Sequence, residues 1–356
     1  MSIPPKRKRP LVADKRYPGK AAAAPKKASK KKTAVKRKPT RQKRPKRGGI
    51  IGLLSALIRW IFRLIWKITW RVTAVVTIIL ALAVGYFYTT LPPLDDFLDG
   101  RARGSVTMLD RNGDVFAWRG DQFGGVITAD SVSKHLKNAV VATEDKRFYR
   151  HFGLSPRGIA SAVRINLREG RGPLKGHGGS TITQQTAKLI CLGEPFDPSS
   201  GQTEKEYEAS CRAGNIKRKA KEALYAMAME VKYSKNDILS IYLNRAYMGG
   251  GAYGAEAAAQ RFFGKSASEV NAAEAAMLAG LLTSPSVLSP TNNLERSQNR
   301  AATVVRLMQE QGYLTAAEAK AAQDNPAVLS EAAEAKAGGY FADWVMGSGP
   351  EFFTRN

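Results

Sequence analysis

The chain has 356 residues, 44% of them hydrophobic, and 56 Lys and Arg against 30 Asp and Glu give it a formal net charge of +26. The excess is local. Residues 1–49 hold 20 basic side chains and one acid, Asp14, whereas residues 72–356 hold 32 basic against 29 acidic. The high isoelectric point therefore describes a tail and not the folded part, which excludes a uniformly basic nucleic-acid-binding domain.

The tail, residues 1–49, is rich in Lys, Arg, Pro and Ala with almost nothing to bury, so it is expected to be disordered. In the next segment, 50–71, Arg59, Arg63, Lys67 and Arg71 recur every four residues amid Trp60, Phe62, Ile65 and Trp66. Two readings stand: a basic amphipathic helix lying on an anionic membrane surface, or a snorkelling extension of the helix that follows. Residues 72–94 carry no charge for 23 positions, a length suited to a bilayer core of ~30 Å. Trp66 and Trp70 flank one end and Tyr86, Phe87 and Tyr88 the other, as interfacial anchors do. Basic residues on the N-terminal side predict that this end faces the cytoplasm. A cleaved signal peptide is disfavoured by the long basic region and by the lack of a small-residue cleavage pattern. The expected topology is single-pass, with everything after Pro92-Pro93 outside the cytoplasm.

Residues 105–118 alternate apolar and polar around Asn112-Gly113, a hairpin signal. From 131 onward the period turns helical. Asn215 to Tyr233 sets Leu224, Met227 and Val231 on one face; Asp237 to Leu243 is a second helix, ended by Gly249-Gly250-Gly251; Ala272 to Leu282 is strongly apolar and ended by Ser284-Pro285. The predicted fold class is mainly α with a small β element. The two cysteines, Cys191 and Cys211, enclose a loop-like stretch and lie in the extracytoplasmic part. An oxidising compartment favours their pairing over two isolated buried thiols.

Three stretches carry candidate chemistry. Glu144-Asp145 lies in a polar-aromatic run with Phe148, Tyr149, His151 and Phe152, expected to pack around the pair and to raise a carboxyl pKa towards that of a general base; the alternative is a solvated surface pair. Gly178-Gly179-Ser180-Thr181-Ile182-Thr183-Gln184-Gln185 leads to Lys188. It reads either as an ordinary helix start capped by Ser180 or Thr181, with the glutamines facing water, or as backbone amides and a cation for phosphate oxygens. Arg218 and Glu222 stand one helical turn apart: either a surface ion pair, or a carboxylate held by a cation beside further positive charge.

Taken in order, these stretches resemble the glycosyltransferase family 51 domain of class A penicillin-binding proteins. Five blocks follow the family's order: Glu144-Asp145-x-x-Phe148-x-x-His151-x-Gly153; Gly179-Ser180-Thr181-Ile182-Thr183-Gln184-Gln185-x-x-Lys188; Arg218-Lys219-x-x-Glu222; Ile238-Leu239-x-x-Tyr242-Leu243-Asn244-x-x-Tyr247-x-Gly249 with Gly254; and Ala273 to Ala279 followed by Pro285 and Pro290. The resemblance spans about residues 105–310. It implies a lysozyme-like helical glycosyltransferase domain acting on a lipid-linked disaccharide-pentapeptide, with inversion and release of undecaprenyl pyrophosphate. Carried over by block, Glu144 looks like the base for the acceptor 4-hydroxyl. Glu222 looks like a second carboxylate that orients a metal or the pyrophosphate region. Ser180, Gln185, Lys188 and Arg218 look like contacts to the donor's pyrophosphate and sugars. A divalent cation, Mg or Mn, is the one cofactor the resemblance brings into view, and no cluster here has clear metal-ligand spacing. The implied partners are the lipid-linked precursor, membrane lipids and other cell-wall synthesis proteins, with no nucleic acid.

Residues 154–177 mix Arg164, Arg168 and Arg171 with Leu154, Ile159, Val163, Ile165 and Leu167, which suits a substrate whose lipid stays in the bilayer. The 191–214 cysteine loop is longer than the family pattern leads one to expect. The second, transpeptidase domain of class A proteins has no counterpart: Ser131-Val132-Ser133-Lys134 and Ser297-Gln298-Asn299 match its elements by spacing alone, and no Lys-Thr-Gly occurs. The chain is accordingly read as cut before that domain, with the glycosyltransferase domain over 95–315 and a linker or the start of the missing C-terminal region over 316–356. Two rival functions are weighed. A lysozyme-like glycan-cleaving enzyme would use paired carboxylates without needing the Gln185, Lys188 and Arg218 set. A non-catalytic membrane-anchored cell-wall scaffold would not need Glu144 and Glu222.

Overall fold

A computed structural model of the protein describes residues 49–98, 106–113, 115–119, 122–173, 176, 178–194, 196–213 and 215–334. Nearly all of the basic tail and residues 335–356 lie outside these, and with them the expectations made for those stretches. Two compact units divide the chain, Met1–Trp66 and Lys67–Asn356. The described part of the first is helical from Ile50 onward and exposes Leu53, Trp60, Phe62 and Trp66. There Arg59 folds back along its own helix, its Nε donating to the Ser55 carbonyl at 2.9 Å.

The first helix, α1 (Ile50–Thr90), is unbroken over 41 residues. At 1.5 Å per residue it is about 60 Å long, twice a bilayer core. Segment 50–71 and residues 72–90 are thus parts of one helix, the expected span to 94 ending four residues early, and its most apolar stretch has no burial against protein. It stops at Thr90 because Pro92 and Pro93 follow; a prolyl ring disfavours helix in the residue before it and cannot donate the next backbone bond.

The second unit continues with α2 (Leu94–Leu98), β1 (Val106–Leu109), β2 (Val115–Arg119), β3 (Gln122–Phe123) and α3 (Lys134–Glu144). Then come α4 (Pro156–Arg168), α5 (Ile182–Leu189), α6 (Glu204–Arg212), α7 (Ile216–Lys232) and α8 (Lys235–Arg245). The last are β4 (Ala252–Tyr253), α9 (Ala255–Phe263), α10 (Ala272–Leu281), α11 (Pro285–Leu288), α12 (Leu294–Glu310), α13 (Ala316–Asp324) and α14 (Glu331–Glu334). The mostly helical class is the one expected. β1 and β2 pair antiparallel around Asn112-Gly113 with a register shift after Met108, and Gly113 takes the positive φ of 92° that this turn needs. The parallel contact of β3 with β4 joins two-residue strands too short to leave a sequence period.

The core is built on α10. Every residue from Ala273 to Leu281 is buried, so the helix shows no polar face and packs between α3 and α12. Its one acid in the first turn, Glu274, caps the helix through Asn271 and accepts from Lys265 Nζ at 2.9 Å. A second layer sets α5 against α7 and α8. The domain does not stop at 315. Thr315 and Glu318 form a capping box for α13, Ala319 is 1% exposed, and Ser330 N–H donates to the Phe262 carbonyl at 2.9 Å. An Ala- and Glu-rich stretch that reads as linker by composition is held by its caps and small buried side chains.

The end of α1 is gripped within this unit. Lys232 Nζ and the Tyr233 hydroxyl, at the C-terminus of α7, donate to the carbonyls of Leu91 and Pro92. Arg245 Nε donates to the Phe97 carbonyl at 3.0 Å. Phe87 meets Tyr225 edge to face at 5.7 Å, and Phe97 meets Tyr233 likewise at 6.1 Å.

Candidate active site

Glu144 is the last residue of α3, partly buried, with its Oε2 accepting from Gln185 Nε2 at 2.8 Å. Burial raises its carboxyl above the ordinary range. The Gln185 hydrogen bond and the Arg300 guanidinium pull the other way, and the neighbouring Asp145 adds a smaller upward push. Gln185 is fixed from its far side by the hydroxyl of Tyr242, which donates to its Oε1 at 3.2 Å. The α3 terminus is itself tied down, since Gln311 Nε2 at the end of α12 donates to the Ala142 carbonyl at 3.0 Å.

Asp145 points elsewhere, although it is adjacent in sequence. It is buried, and its Oδ2 accepts from His151 Nε2 at 2.8 Å and from the Ile182 backbone N–H at 3.2 Å. Because His151 Nδ1 is buried without a partner, the proton belongs on Nε2, facing the carboxylate. Asp145 thus pins the start of α5 to the end of α3. Thr181 adds a second pin, its Oγ1 donating to the Gly153 carbonyl at 2.6 Å. The capping reading of this loop therefore holds for Thr181, which forms a capping box with Gln184. The glutamines do not face water: Gln184 is 4% exposed and Gln185 meets Glu144. The expected aromatic packing is only partly present. Phe148 is fully buried, but Tyr149 and Phe152 are 46% and 54% exposed and do not cover the carboxylates.

The second cluster lies at the N-terminal end of α7. Glu222 is 1% exposed, so it is no surface ion pair. Its Oε2 accepts from Arg218 NH1 at 2.8 Å, and its Oε1 accepts from Lys219 Nζ. Lys219 also donates to Ser180 Oγ at 2.7 Å, which joins the second sequence block to the third. Arg218 is held on its other side, its Nε donating to the Ala213 carbonyl at 2.7 Å. That carbonyl follows α6, which ends in the Cys191–Cys211 disulfide; the expected pairing is present, with Cα atoms 5.4 Å apart. Cys191 and Leu192 both take positive φ, 48° and 57°, directly after the α5 that carries Gln185 and Lys188. A cleft of about 740 Å³ opens there, lined by the disulfide, Leu192, Lys217, Arg218 and Lys221.

All six sequence-predicted residues therefore fall on α5, its leading loop, the end of α3 and the start of α7. Glu144 and Gln185 meet directly, as do Arg218 and Glu222, and Lys219 links Ser180 to Glu222. Lys188 lies one turn beyond Gln185 on α5, half-buried. Three contributors were missed. Lys219 stands one turn before Glu222, a spacing visible in the sequence; Tyr242 was legible only as part of a block. Arg300, on α12 outside all five blocks, lies over Gly280 and acts on Glu144 through its charge. Among the described residues no group of three or more His, Cys, Asp or Glu converges as a metal site. Both Glu222 oxygens already accept from cations, so this donor set does not fit a divalent metal.

The transglycosylase family profile matches residues 112–309, more than half of the chain. The chain is 35% identical over 272 residues to penicillin-binding protein 1A of Aquifex aeolicus, covering 75% of this chain and 35% of that one. It is 37% identical over 236 residues to penicillin-binding protein 1A of Neisseria flavescens, covering 66% and 27% respectively. It is 41% identical over 193 residues to penicillin-binding protein 2a of Streptococcus pneumoniae, covering 54% and 23%. It thus spans about a third or less of the length of these relatives. A crystal structure of penicillin-binding protein 1A from Haemophilus influenzae aligns over 70% of this chain and 24% of that one, at 21% identity and a TM-score of 0.38.

Proposed function

The chain belongs to the transglycosylase family, and from that membership we propose that it is a peptidoglycan glycosyltransferase that polymerises lipid-linked disaccharide-pentapeptide into glycan strands. The observation that carries this reading is the contrast between its two acids. Glu144 has one amide donor and a raised pKa, whereas Glu222 is buried and faces two cations. One is fit to take a proton, the other to hold positive charge in place.

In this reading Glu144 removes the proton of the acceptor sugar 4-hydroxyl. The freed oxygen bonds to the anomeric carbon of the lipid-linked chain from the face opposite the leaving group. The bond from that carbon to the pyrophosphate oxygen breaks, undecaprenyl pyrophosphate departs, and the configuration inverts. The charge gathering on the leaving group needs fixed cations and donors. Arg218, held by Ala213 and Glu222, Lys219, held by Ser180 and Glu222, and Lys188 fill that part, with Gln185 and Ser180 as contacts to the donor's sugars and pyrophosphate. No step passes through a metal. The apolar length of α1 fits a single-pass membrane protein, and we place its N-terminus in the cytoplasm and the catalytic domain in the periplasm.

Incubating the detergent-solubilised chain with labelled lipid-linked disaccharide-pentapeptide tests the proposal. Polymer is expected. Release of fragments from preformed glycan, with none made from the monomer, would replace it with the glycan-cleaving reading.

A further inference from the structure

Glu144 receives its hydrogen bond from an amide, and an amide can turn over. Rotating the Gln185 side-chain amide by half a turn exchanges Oε1 with Nε2 in nearly the same volume. Something must therefore decide which end faces the carboxylate. The Tyr242 hydroxyl lies on the opposite side of that amide, 3.2 Å from Oε1, on a side chain 2% exposed in the body of α8.

We infer that Tyr242 is a positioning residue for Glu144, its hydroxyl holding the Gln185 amide so that the NH2 group faces the carboxylate. The inference rests on the reading of Glu144 as the base. In the observed orientation both donors meet acceptors: Tyr242 O–H meets Oε1, and Nε2–H meets Glu144 Oε2 at 2.8 Å. In the reversed orientation the buried hydroxyl loses the acceptor it uses here, and the amide oxygen confronts a carboxylate oxygen. A buried donor without a partner carries its full desolvation penalty. Only a protonated Glu144 tolerates the reversal, because its O–H can donate to the amide oxygen. Tyr242 thus penalises the arrangement that favours the protonated base.

The other charged or titratable groups acting on Glu144 are Arg300 from α12 and Asp145 beside it; Tyr242 itself stays protonated, its own ionisation pushed well above the ordinary value by burial and by the charge of Glu144. Neither Arg300 nor Asp145 touches the Tyr242 hydroxyl, so its removal leaves their influence in place.

The test is kcat/KM against pH for the full chain in detergent, with the lipid-linked disaccharide-pentapeptide as substrate. Its acid limb reports the base of the free enzyme. Tyr242→Phe keeps the buried ring and is expected to move that limb upward by about one pH unit, the size of one charge-assisted hydrogen bond weakened. The plateau at high pH should be retained within about threefold. Gln185→Met removes the amide altogether and should displace the limb in the same direction, with the double variant moving no farther than Gln185→Met alone. An unmoved limb in Tyr242→Phe, or a rate lowered equally at every pH, overturns the inference. If Tyr242→Phe fails to fold, an unmoved limb in Gln185→Met does so. Glu144→Gln separates the two levels. If it polymerises normally, the assignment of the base falls; if it is inactive while the Tyr242→Phe limb stays put, only the role of Tyr242 falls.

Discussion

At the scale of single residues, the site works by giving similar groups different surroundings. Glu144 and Asp145 are neighbours in sequence, yet one faces a single amide and the other is spent on a histidine and a helix start. Because the Glu144 pKa is raised, there is a pH window just above the ordinary value in which the native state retains a proton that an unfolded chain would release. Its contribution to stability is fully present below the ordinary value and is lost as pH rises through the raised one. Glu144→Gln should therefore abolish polymerisation while leaving the melting temperature at pH 7 unchanged or slightly higher, as differential scanning fluorimetry would read. A lower melting temperature would mean that the carboxylate holds the fold together. Wild-type activity should rise with pH along an acid limb lying above the ordinary Glu value of 4.5. Lys219→Met leaves Glu222 with Arg218 alone and frees Ser180, so kcat should drop roughly 10- to 100-fold in a stably folded protein. Polymerisation at the wild-type rate would remove Lys219 from the cation set.

At the scale of elements, legibility followed periodicity. The hairpin at Asn112-Gly113, the amphipathic α7 and the all-apolar α10 were readable because each repeats its own spacing over a turn or more. β3 and β4 were not, being two residues each, and α13 leaves no clear period because alanine fits both helix and linker until Thr315 and Glu318 cap it. The site was legible where blocks are contiguous and illegible where α12 brings Arg300 to Glu144 across the fold. The cysteine bridge closes a sequence separation of 20 residues, which in the chain-entropy model contributes about 3 kcal/mol. Replacing both cysteines with serine should lower the melting temperature by roughly 6–12 °C. Activity should fall modestly, through looser placement of the Ala213 carbonyl that steadies Arg218. Thiol labelling of the unfolded, unreduced protein should find no free sulfhydryl; two labelled sites per chain would show the bridge absent in solution.

At the scale of the whole molecule, the chemistry and the anchor occupy separate stretches of chain. All five blocks lie beyond residue 143, so deleting residues 2–47 should leave polymerisation in detergent within about twofold of the full chain. A large loss would assign the tail a catalytic task. The topology we propose rests on the basic residues ahead of the apolar helix: a cytoplasm-dependent reporter should work before Ile50, and a periplasm-dependent one after Asn356. The reverse pattern would overturn that orientation.

The grip of α7 on the end of α1 has a geometric meaning. Lys232 and Tyr233 hold the carbonyls of Leu91 and Pro92, and Glu222 stands ten residues back along the same helix, about 15 Å by helical rise. α7 therefore works as a gauge block: one end rests on the exit of the apolar helix, the other carries Arg218, Lys219 and Glu222. The distance from the end of the apolar helix to those cations is thus set by the length of a single stiff rod.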